Sequence, residues 1–200
     1  MPAGMVTMNK YDDVWLLAEP YLRARKNDIH IPLSFNFARQ LLNVHPDADA
    51  DIVLLAILLH DIGWWPIDMD DIVDKGFGPN MMLSDVRFQH EREGMRLARE
   101  VLEKAGWPEA TVGAVVEIID GHDTRSESRS LNDRLVRDAD KLWRFTVTGI
   151  AVACDWFKMT PHQYADLLER QLSLLETELA QKMATQALTH SRSALMLHLI

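Results

Sequence analysis

Apolar side chains recur every three or four positions along most of this chain, and strand-like alternation of apolar and polar residues is absent. Apolar residues at this spacing form one buried face of an α-helix. Together with the Pro and Gly positions, the spacing predicts helices over about 11–25, 30–42, 50–62, 86–106 and 108–120, one or two within 134–157, one over 161–183 and a last one at the C-terminal end. The pattern therefore predicts an all-α fold.

Two details define the first helices. The first predicted helix has one apolar face, made of Trp15, Leu16, Ala18 and Leu22. Pro32 suits only a first helical turn, because its ring and its missing N–H disrupt a helix interior. The second helix is therefore predicted to begin near His30, after a cap at Asn27 or Asp28.

The third helix is the most apolar part of the chain. Its residues from Ile52 to Leu59 are apolar all round, which is typical of a central, fully buried helix. Acidic residues precede it, where the helix dipole favours negative charge, and Gly63 ends it. Pro and Gly then interrupt the pattern over 64–86, which predicts a long connection that could form a lid or a pocket wall.

The helix predicted over 161–183 begins at a capping Thr160 followed by Pro161. It carries a leucine stripe at helical spacing, made of Leu167, Leu168, Leu172, Leu175 and Leu179. Such a stripe packs on its own domain or forms a homodimer interface, and the pattern is compatible with both.

Composition narrows the class of protein. A chain of 200 residues with 48% hydrophobic and 26% charged residues is typical of one globular domain. Its net charge of −9 argues against a protein that binds the nucleic-acid backbone. No secretory signal or membrane span is visible, so a cytoplasmic enzyme or binding protein is expected. The single cysteine, Cys154, lies among apolar residues and is predicted to be a small core residue.

A histidine and an aspartate directly follow the apolar run in "LLAILLHDIG". His60 and Asp61 are about 100° apart on a helix, so both can reach one ion beside the helix end. Imidazole and carboxylate ligands suit Mn, Fe, Co, Ni or Zn. The alternative interpretation is that the two side chains are hydrogen-bonded at a helix terminus and bind no metal. The same dipeptide occurs again in "GHD" at 121–123.

Further candidate ligands lie on either side of this pair. His30 opens a helix about 30 residues earlier, and "RLVRDADKLWRF" places Asp138 and Asp140 among apolar residues of a later helix. Acids two positions apart point to different faces, so at most one of them turns inward easily. Asp140 is preferred as the inward one.

The stretches "LLAILLHDIG" and "LVRDADKLWRF" resemble the two best-marked stretches of the HD-domain superfamily of metal-dependent phosphohydrolases. His30, the His60-Asp61 pair and Asp140 match that family's His, His-Asp and Asp in order and spacing. The resemblance covers about residues 28–145. It implies a single helical bundle over 1–200, with a metal-binding core at 28–145 and C-terminal helices at 146–200 that pack on it.

Two additional histidines refine the resemblance. His90 and His122 resemble the extra pair of those HD proteins that bind a second ion, which implies one or two divalent transition-metal ions with Asp61 bridging both. Gly94 would let another helix pack closely against this segment. A zinc-protease motif would need a second histidine at position 94, and no Gly-Tyr-Pro follows His122, which argues against a cyclic-di-GMP phosphodiesterase.

The resemblance implies hydrolysis of a phosphoester or phosphoanhydride in a small phosphorylated or nucleotide substrate, with no nucleic-acid polymer or membrane as partner. A divalent metal lowers the pKa of bound water from 15.7 toward ~7, which provides hydroxide at neutral pH. Asp61 would bridge the ions, and Asp123 would orient a water or a neighbouring histidine. Trp64 and Trp65 could wall the pocket. The cations nearest in sequence, which could neutralise phosphate charge, are Lys141, Arg125, Arg129 and Arg144, with Lys141 predicted as catalytic.

Two other functions fit the same residues. The six candidate ligands also resemble those of di-iron HD oxygenases, which cleave C–C or C–P bonds with dioxygen. A non-catalytic helical module with structural histidines is the third hypothesis. Metal content and dependence on oxygen distinguish the three.

Overall fold

The structure of the protein, a computed structural model, describes residues 10–68 and 85–197. Within these ranges the secondary structure consists of α-helices and short 3-10 turns, with no strand. The predicted all-α fold is therefore confirmed. In chain order the helices are α1 (Asp12–Ala18), α2 (Asn27–Leu42), α3 (Ala50–Leu59), α4 (Asp85–Lys104), α5 (Glu109–Ile119), α6 (Leu131–Leu142), α7 (Val147–Phe157), α8 (Pro161–Gln171) and α9 (Glu178–Ala194).

The central position predicted for α3 is confirmed. Every side chain from Val53 to Leu59 is buried, and the helix packs against α2, α5 and α6. Asp49 caps its N-terminus by accepting hydrogen bonds from two backbone N–H groups of the first turn. Each fully buried Leu or Ile contributes roughly 1.5–3 kcal/mol, so α3 is a rigid support for the residues that follow it.

The prediction of one helix over 11–25 is wrong. Helix α1 ends at Ala18 and short 3-10 turns follow, because Pro20 lacks a backbone N–H and the chain turns left-handed at Arg25 and Lys26. Leu16, which was assigned to the apolar face, is 68% exposed.

Helix α2 begins three residues before the predicted start at His30. Lys26, in a left-handed conformation, precedes the helix, so Asn27 and Asp28 lie within its first turn and do not cap it. The buried Asn27 side chain donates to the backbone carbonyl of Asp61, 3.1 Å away, which ties the helix start to the end of α3. Pro32 consequently lies inside the helix and not in its first turn.

The helix predicted over 161–183 is two helices, α8 and α9. The break lies where the Asp138 carboxylate accepts hydrogen bonds from the backbone N–H groups of Glu176 and Thr177 and from the Thr177 hydroxyl. Thr177 then caps α9 by accepting from the backbone of Ala180. The predicted leucine stripe still packs on the core through its buried members Leu168 and Leu175.

The remaining predictions agree more closely with the structure. The segment 134–157 forms two helices, α6 and α7, and Pro108 immediately precedes α5. Most of the connection predicted over 64–86 lies outside the described residues. One hydrophobic cluster runs from Tyr11 to Leu197 and includes side chains of α1 through α9. No helix in 10–68 or 85–197 combines the length and the apolar character that a membrane crossing requires.

Candidate metal centre

Five helices bring six histidine and aspartate side chains to one buried place. They lie in the first turn of α2, directly after α3, within α4, in the turn after α5 and within α6. None exposes more than 8% of its surface. They are the residues that the sequence suggested as metal ligands, namely His30, His60, Asp61, His90, His122 and Asp140.

The first half of the cluster is a group of three residues, His30, His60 and Asp61, whose ligand atoms lie within 4.8 Å of one another. Asp61 Oδ2 is 3.3 Å from His30 Nδ1 and 3.8 Å from His60 Nε2. Asp140 completes this half, with its Oδ1 2.9 Å from His30 Nε2 and 3.3 Å from His60 Nε2.

The second half of the cluster consists of Asp61, His90 and His122, whose ligand atoms also lie within 4.8 Å of one another. Asp61 Oδ1 is 3.8 Å from His90 Nε2 and 3.6 Å from His122 Nε2, and these two nitrogens are 3.4 Å apart. Asp61 therefore faces the first half with one carboxylate oxygen and the second half with the other.

Asp140 and Asp138 have separate surroundings, as their spacing on α6 requires. Asp140 faces the histidine cluster, whereas Asp138 accepts hydrogen bonds from the chain that precedes α9. Of the two acids, only Asp140 is therefore positioned to act as a ligand.

Two of the histidines are oriented by the same kind of hydrogen bond, from Nδ1 to the backbone carbonyl three residues earlier. His60 Nδ1 lies 2.9 Å from the carbonyl of Ile57, and His122 Nδ1 lies 2.9 Å from the carbonyl of Ile119. A carbonyl oxygen only accepts, so Nδ1 carries a proton in both rings. In the neutral imidazole, Nε2 then presents its lone pair to the cluster, as metal-binding histidines require.

The donor atoms fit a divalent transition metal. The buried Nε2 of His60 has no hydrogen-bond partner within the described ranges, although Asp140 lies near. Leaving a buried polar atom unpaired costs about 1–3 kcal/mol, and a bound cation removes that cost. Imidazole nitrogens together with carboxylates form the set preferred by Fe, Mn, Co, Ni and Zn.

The two carboxylates of the cluster remain ionised despite their burial. Burial by itself raises the pKa of Asp61, but His60 and the nearby Arg25 hold it well below its usual range. Burial likewise raises the pKa of Asp140, but the hydrogen bond with His30, the nearby His60 and the charge of Arg144 lower it well below its usual range. Both side chains therefore stay negative and attract a cation.

The histidines differ in their affinity for protons. Burial and the neighbouring charge of His122 lower the pKa of His90 to about 3. Burial also lowers the pKa of His122, but Asp61 and Asp123 outweigh it and raise that pKa to about 9. Burial opposes protonation of His30 too, yet Asp140 and Asp61 raise its pKa. Without metal, the raised pKa values of His122 and His30 favour a proton on each ring, which together with Arg25 and Arg144 offsets the charge of the carboxylates.

Glycines allow the elements around the cluster to meet. A Cβ on Gly63 would lie 2.0 Å from the backbone oxygen of His90 and 2.3 Å from the backbone nitrogen of Gly94. A Cβ on Gly94 would lie 3.2 Å from the Ile119 side chain, so the predicted close packing at Gly94 is confirmed. These contacts hold α4 against the turn after α3 and against α5.

Two tryptophans cover the imidazoles. Trp64 is buried, stacks on the His90 ring at 4.0 Å and donates from Nε1 to Asp61 Oδ1 at 3.0 Å. Trp143 stacks on the His30 ring at 4.7 Å. Trp65, by contrast, is 47% exposed. The indoles of Trp64 and Trp143 exclude water from the cluster, which strengthens every electrostatic interaction within it.

The structure does not bring Lys141 to the cluster. Its Nζ donates to the carbonyl of Leu174 at 3.3 Å, because residue 141 points to a different face of α6 from Asp140. Arg125 pairs with the buried Asp133, and Arg129 pairs with Asp120 at the surface. These three cations therefore have structural partners away from the predicted ligands.

Four further charged residues surround the cluster. The sequence suggested a role for Arg144 and Asp123, but not for Arg25 and Glu91. Arg144 Nη2 lies 3.5 Å from Asp140 Oδ2, and Asp123 Oδ2 lies 3.7 Å from His90 Nε2. Arg25 Nη1 lies 3.6 Å from Asp61 Oδ2, with its guanidinium 4.3 Å from the ring of Trp64. Glu91 accepts hydrogen bonds from the backbone of Asp123 and Thr124, which holds the turn after α5. Arg25 precedes α2 and Glu91 follows His90, and neither belongs to a motif that marks its role.

An all-α bundle with a buried His/Asp cluster at its centre defines the class of protein. A model of the HD domain matches residues 28–144, so the chain belongs to the HD-domain family, as the sequence resemblance predicted. All six residues of the cluster, from His30 to Asp140, lie within the matched range.

One solved structure shares the fold over almost its whole length. It is the crystal structure of a protein from an uncultured Thermotogales bacterium, described as a predicted HD superfamily hydrolase. The similarity has a TM-score of 0.64 and 18% sequence identity, and covers 98% of this chain and 94% of that chain. A search of curated proteins gives no match.

Proposed function

We propose that this protein is a metal-dependent phosphohydrolase that acts on a small phosphorylated or nucleotide substrate. The observation that carries the proposal is the position of Asp61, which presents one carboxylate oxygen to each of two buried ligand groups. Membership of the HD-domain family and the description of the similar Thermotogales protein as a predicted hydrolase support it.

In this proposal the ion or ions are held by the residues of the two halves. His30, His60, Asp61 and Asp140 would hold one ion, and Asp61 with His90 and His122 would hold a second. A divalent ion bound there supplies Lewis acidity, which polarises a phosphoryl oxygen and lowers the pKa of water. The tryptophans over the imidazoles keep bulk water away from this chemistry.

Two guanidinium groups beside the cluster suit a phosphorylated substrate. Arg25 lies next to Asp61 Oδ2 and Arg144 lies next to Asp140 Oδ2, and their side chains are 11% and 37% exposed. Fixed cations at the point where phosphoryl charge develops stabilise the transition state and cost no reorganisation. They take the role that the sequence suggested for Lys141.

Asp123 is assigned to the positioning of the attacking water. Burial raises the pKa of Asp123, but His122, His90 and Arg87 lower it to about 2. A carboxylate with so low a pKa is a poor proton acceptor at neutral pH, yet it accepts a hydrogen bond well. Arg87 holds it in place, with Nη2 2.8 Å from the Asp123 carbonyl and 3.3 Å from Oδ1.

The test is metal analysis of protein purified without added metal, combined with hydrolysis of a generic aryl phosphate. We expect His60→Ala to lose all metal and activity, and His90→Ala to lose about half of the metal. His190→Ala is the control, because His190 is exposed on α9 and distant in sequence from every ligand.

Three outcomes count against the proposal. Wild-type metal content in His60→Ala would remove the metal centre altogether. Metal-replete protein without activity on phosphate esters, but with oxygen consumption and a mixed-valence iron signal, would indicate the oxygenase chemistry that the same six ligands allow. Negligible metal in the wild type after dialysis, with His60→Ala affecting stability alone, would indicate a structural module.

A further inference from the structure

A cavity lined mostly by charged and hydroxyl-bearing residues lies away from the metal centre, on another face of α6. Its volume is about 560 Å³, and it opens between the loop that follows α5 and the connection between α8 and α9. None of its lining residues belongs to the six-residue cluster. Three cations line its α6 side, namely Arg134, Arg137 and Lys141.

The three cations lie on one face of α6 because of their spacing in the sequence. Positions 134, 137 and 141 are separated by three and four residues, the spacing that aligns side chains on one side of an α-helix. Two carboxylates, Glu127 and Glu176, also line the cavity, so the cations exceed the anions there by one. A positive cavity is unexpected on a chain whose net charge is −9.

Arg137 is the strongest sign of a ligand. Only 9% of its surface is exposed, and its Nη2 donates to the carbonyl of Arg125 at 3.0 Å. Its Nε and Nη1 have no hydrogen-bond partner in 10–68 or 85–197. A buried guanidinium donor without a hydrogen-bond acceptor is costly, and an oxyanion beside Nη1 would supply that acceptor.

Glu176 marks where such an anion would sit. Its Oε1 lies 3.5 Å from Arg137 Nε and its Oε2 lies 3.7 Å from Arg134 Nε, so it is near both cations without a hydrogen bond to either. Ser128 donates to Oε2 at 2.6 Å, and two more hydroxyls, from Ser126 and Ser173, line the same cavity. The Glu176 carboxylate would therefore compete only weakly with a bound anion for these cations, in a site rich in groups that donate hydrogen bonds to oxyanions.

We propose that this cavity is a binding site for a phosphate group, free or carried on a small molecule, separate from the metal centre. Guanidinium forks, an ammonium and hydroxyls are the groups that proteins use to bind phosphate. The proposal does not depend on the phosphohydrolase assignment, because no ligand of the metal cluster takes part.

The test is calorimetric titration of the metal-loaded protein with inorganic phosphate, and with AMP as the organic phosphate. We expect Arg134→Gln and Lys141→Gln each to weaken phosphate binding roughly tenfold, because each removes a charge-assisted contact. Arg129→Gln is the matched control: it removes the same charge from an exposed arginine that pairs with Asp120 outside the cavity. Glu176→Gln should tighten binding by removing the competing carboxylate.

His60→Ala separates this site from the metal centre. Phosphate binding that survives in this variant, and is weakened by adding Lys141→Gln, would confirm a second site. Asp140→Asn replaces His60→Ala if circular dichroism shows that the latter is unfolded. Binding that disappears in the metal-centre variant, or that is unchanged in both Arg134→Gln and Lys141→Gln, would overturn the proposal. Tighter binding of phosphate than of AMP would identify the free anion as the ligand, and the reverse would identify an organic phosphate.

Discussion

At the scale of single residues, Asp61 is the link between the two halves of the centre. Its two oxygens face different histidine groups, its backbone carbonyl accepts from Asn27, and Trp64 donates to its side chain. The Trp64 contact restricts the rotation of the carboxylate, and the Asn27 contact fixes the backbone that carries it. The orientation in which Asp61 faces both histidine groups is therefore fixed by the protein itself.

Arg25 gives the sharpest residue-scale prediction. Arg25→Met should lower kcat/KM for a phosphate ester roughly 10²-fold, because a fixed cation beside the reacting phosphate is lost. Metal content should be retained, since Arg25 is not a ligand. Steady-state kinetics with metal analysis on the same sample checks both expectations.

The matched control for this change is Arg23→Met, two residues earlier. Arg23 is exposed and pairs with Glu19 on the surface, so its loss should leave kcat/KM unchanged. Equal effects of the two substitutions, or a loss of metal in Arg25→Met that accounts for the lost activity, would exclude a phosphate-binding role for Arg25.

Proton release on metal binding follows from the histidine pKa values. Asp61 and Asp123 raise the pKa of His122 to about 9 against the effect of burial, so the metal-free protein holds a proton on His122 at neutral pH. A ligand imidazole must be neutral, so the metal displaces that proton. Metal affinity should rise with pH and level off above about 9.

Calorimetry in two buffers of different ionisation enthalpy measures this proton release. At pH 7 we expect between one and two protons per fully loaded protein, from His122 and from His30, whose pKa is also raised. His90 contributes none, because burial and His122 hold its pKa at about 3. A metal affinity that is independent of pH between 6 and about 9 would contradict the arrangement.

At the scale of elements, the centre depends on how closely α4 approaches the turn after α3. Gly63→Ala should destabilise the protein by roughly 3 kcal/mol, because the added Cβ meets backbone atoms that cannot rotate away. The ideal position of that Cβ is 2.0 Å from the His90 carbonyl oxygen, so His90 should shift and metal content should fall too. Urea unfolding and metal analysis measure the two effects.

Gly113→Ala is the control for that substitution. Gly113 lies in α5, and a Cβ there meets nothing within 4 Å. Replacing it should stabilise the helix by about 0.5–1 kcal/mol through lower backbone entropy in the unfolded chain. If Gly63→Ala were as harmless as Gly113→Ala, close packing of α4 would not be a requirement of the centre.

The helices also show where the local sequence is sufficient to predict the structure and where it is not. Helix α3 and the two candidate ligands that follow it were predictable because a continuous apolar run, an acidic start and a terminal glycine lie together in one stretch. The break between α8 and α9 was not, because its cause is the Asp138 carboxylate, about 40 residues away in sequence. Arg25 was missed for a similar reason, since its partner Asp61 lies on another element and its left-handed backbone has no marker.

At the scale of the whole molecule, the predicted ligands come from elements separated by long stretches of chain. His30 and Asp140 are 110 positions apart and meet at 2.9 Å. The residues themselves were predictable because the family resemblance supplied their order, whereas the orientation of each ring depends on carbonyls and indoles that only the folded chain brings near. Lys141 illustrates the difference, since it is adjacent to Asp140 in sequence and yet lines a different cavity.

A metal that joins five helices should also stabilise the fold. Because the unfolded chain lacks the assembled site, an ion at 100 times its Kd adds about 2.7 kcal/mol to the free energy of unfolding. For a domain of this size that corresponds to a rise in Tm of roughly 5–10 °C, which differential scanning fluorimetry with and without a chelator measures. In His60→Ala the chelator should have no effect on Tm, because the ion is already absent. If removal of bound metal left the wild-type Tm unchanged, the cluster would not couple these helices through an ion, and the buried carboxylates would be balanced by Arg25, Arg144 and protons on the histidines.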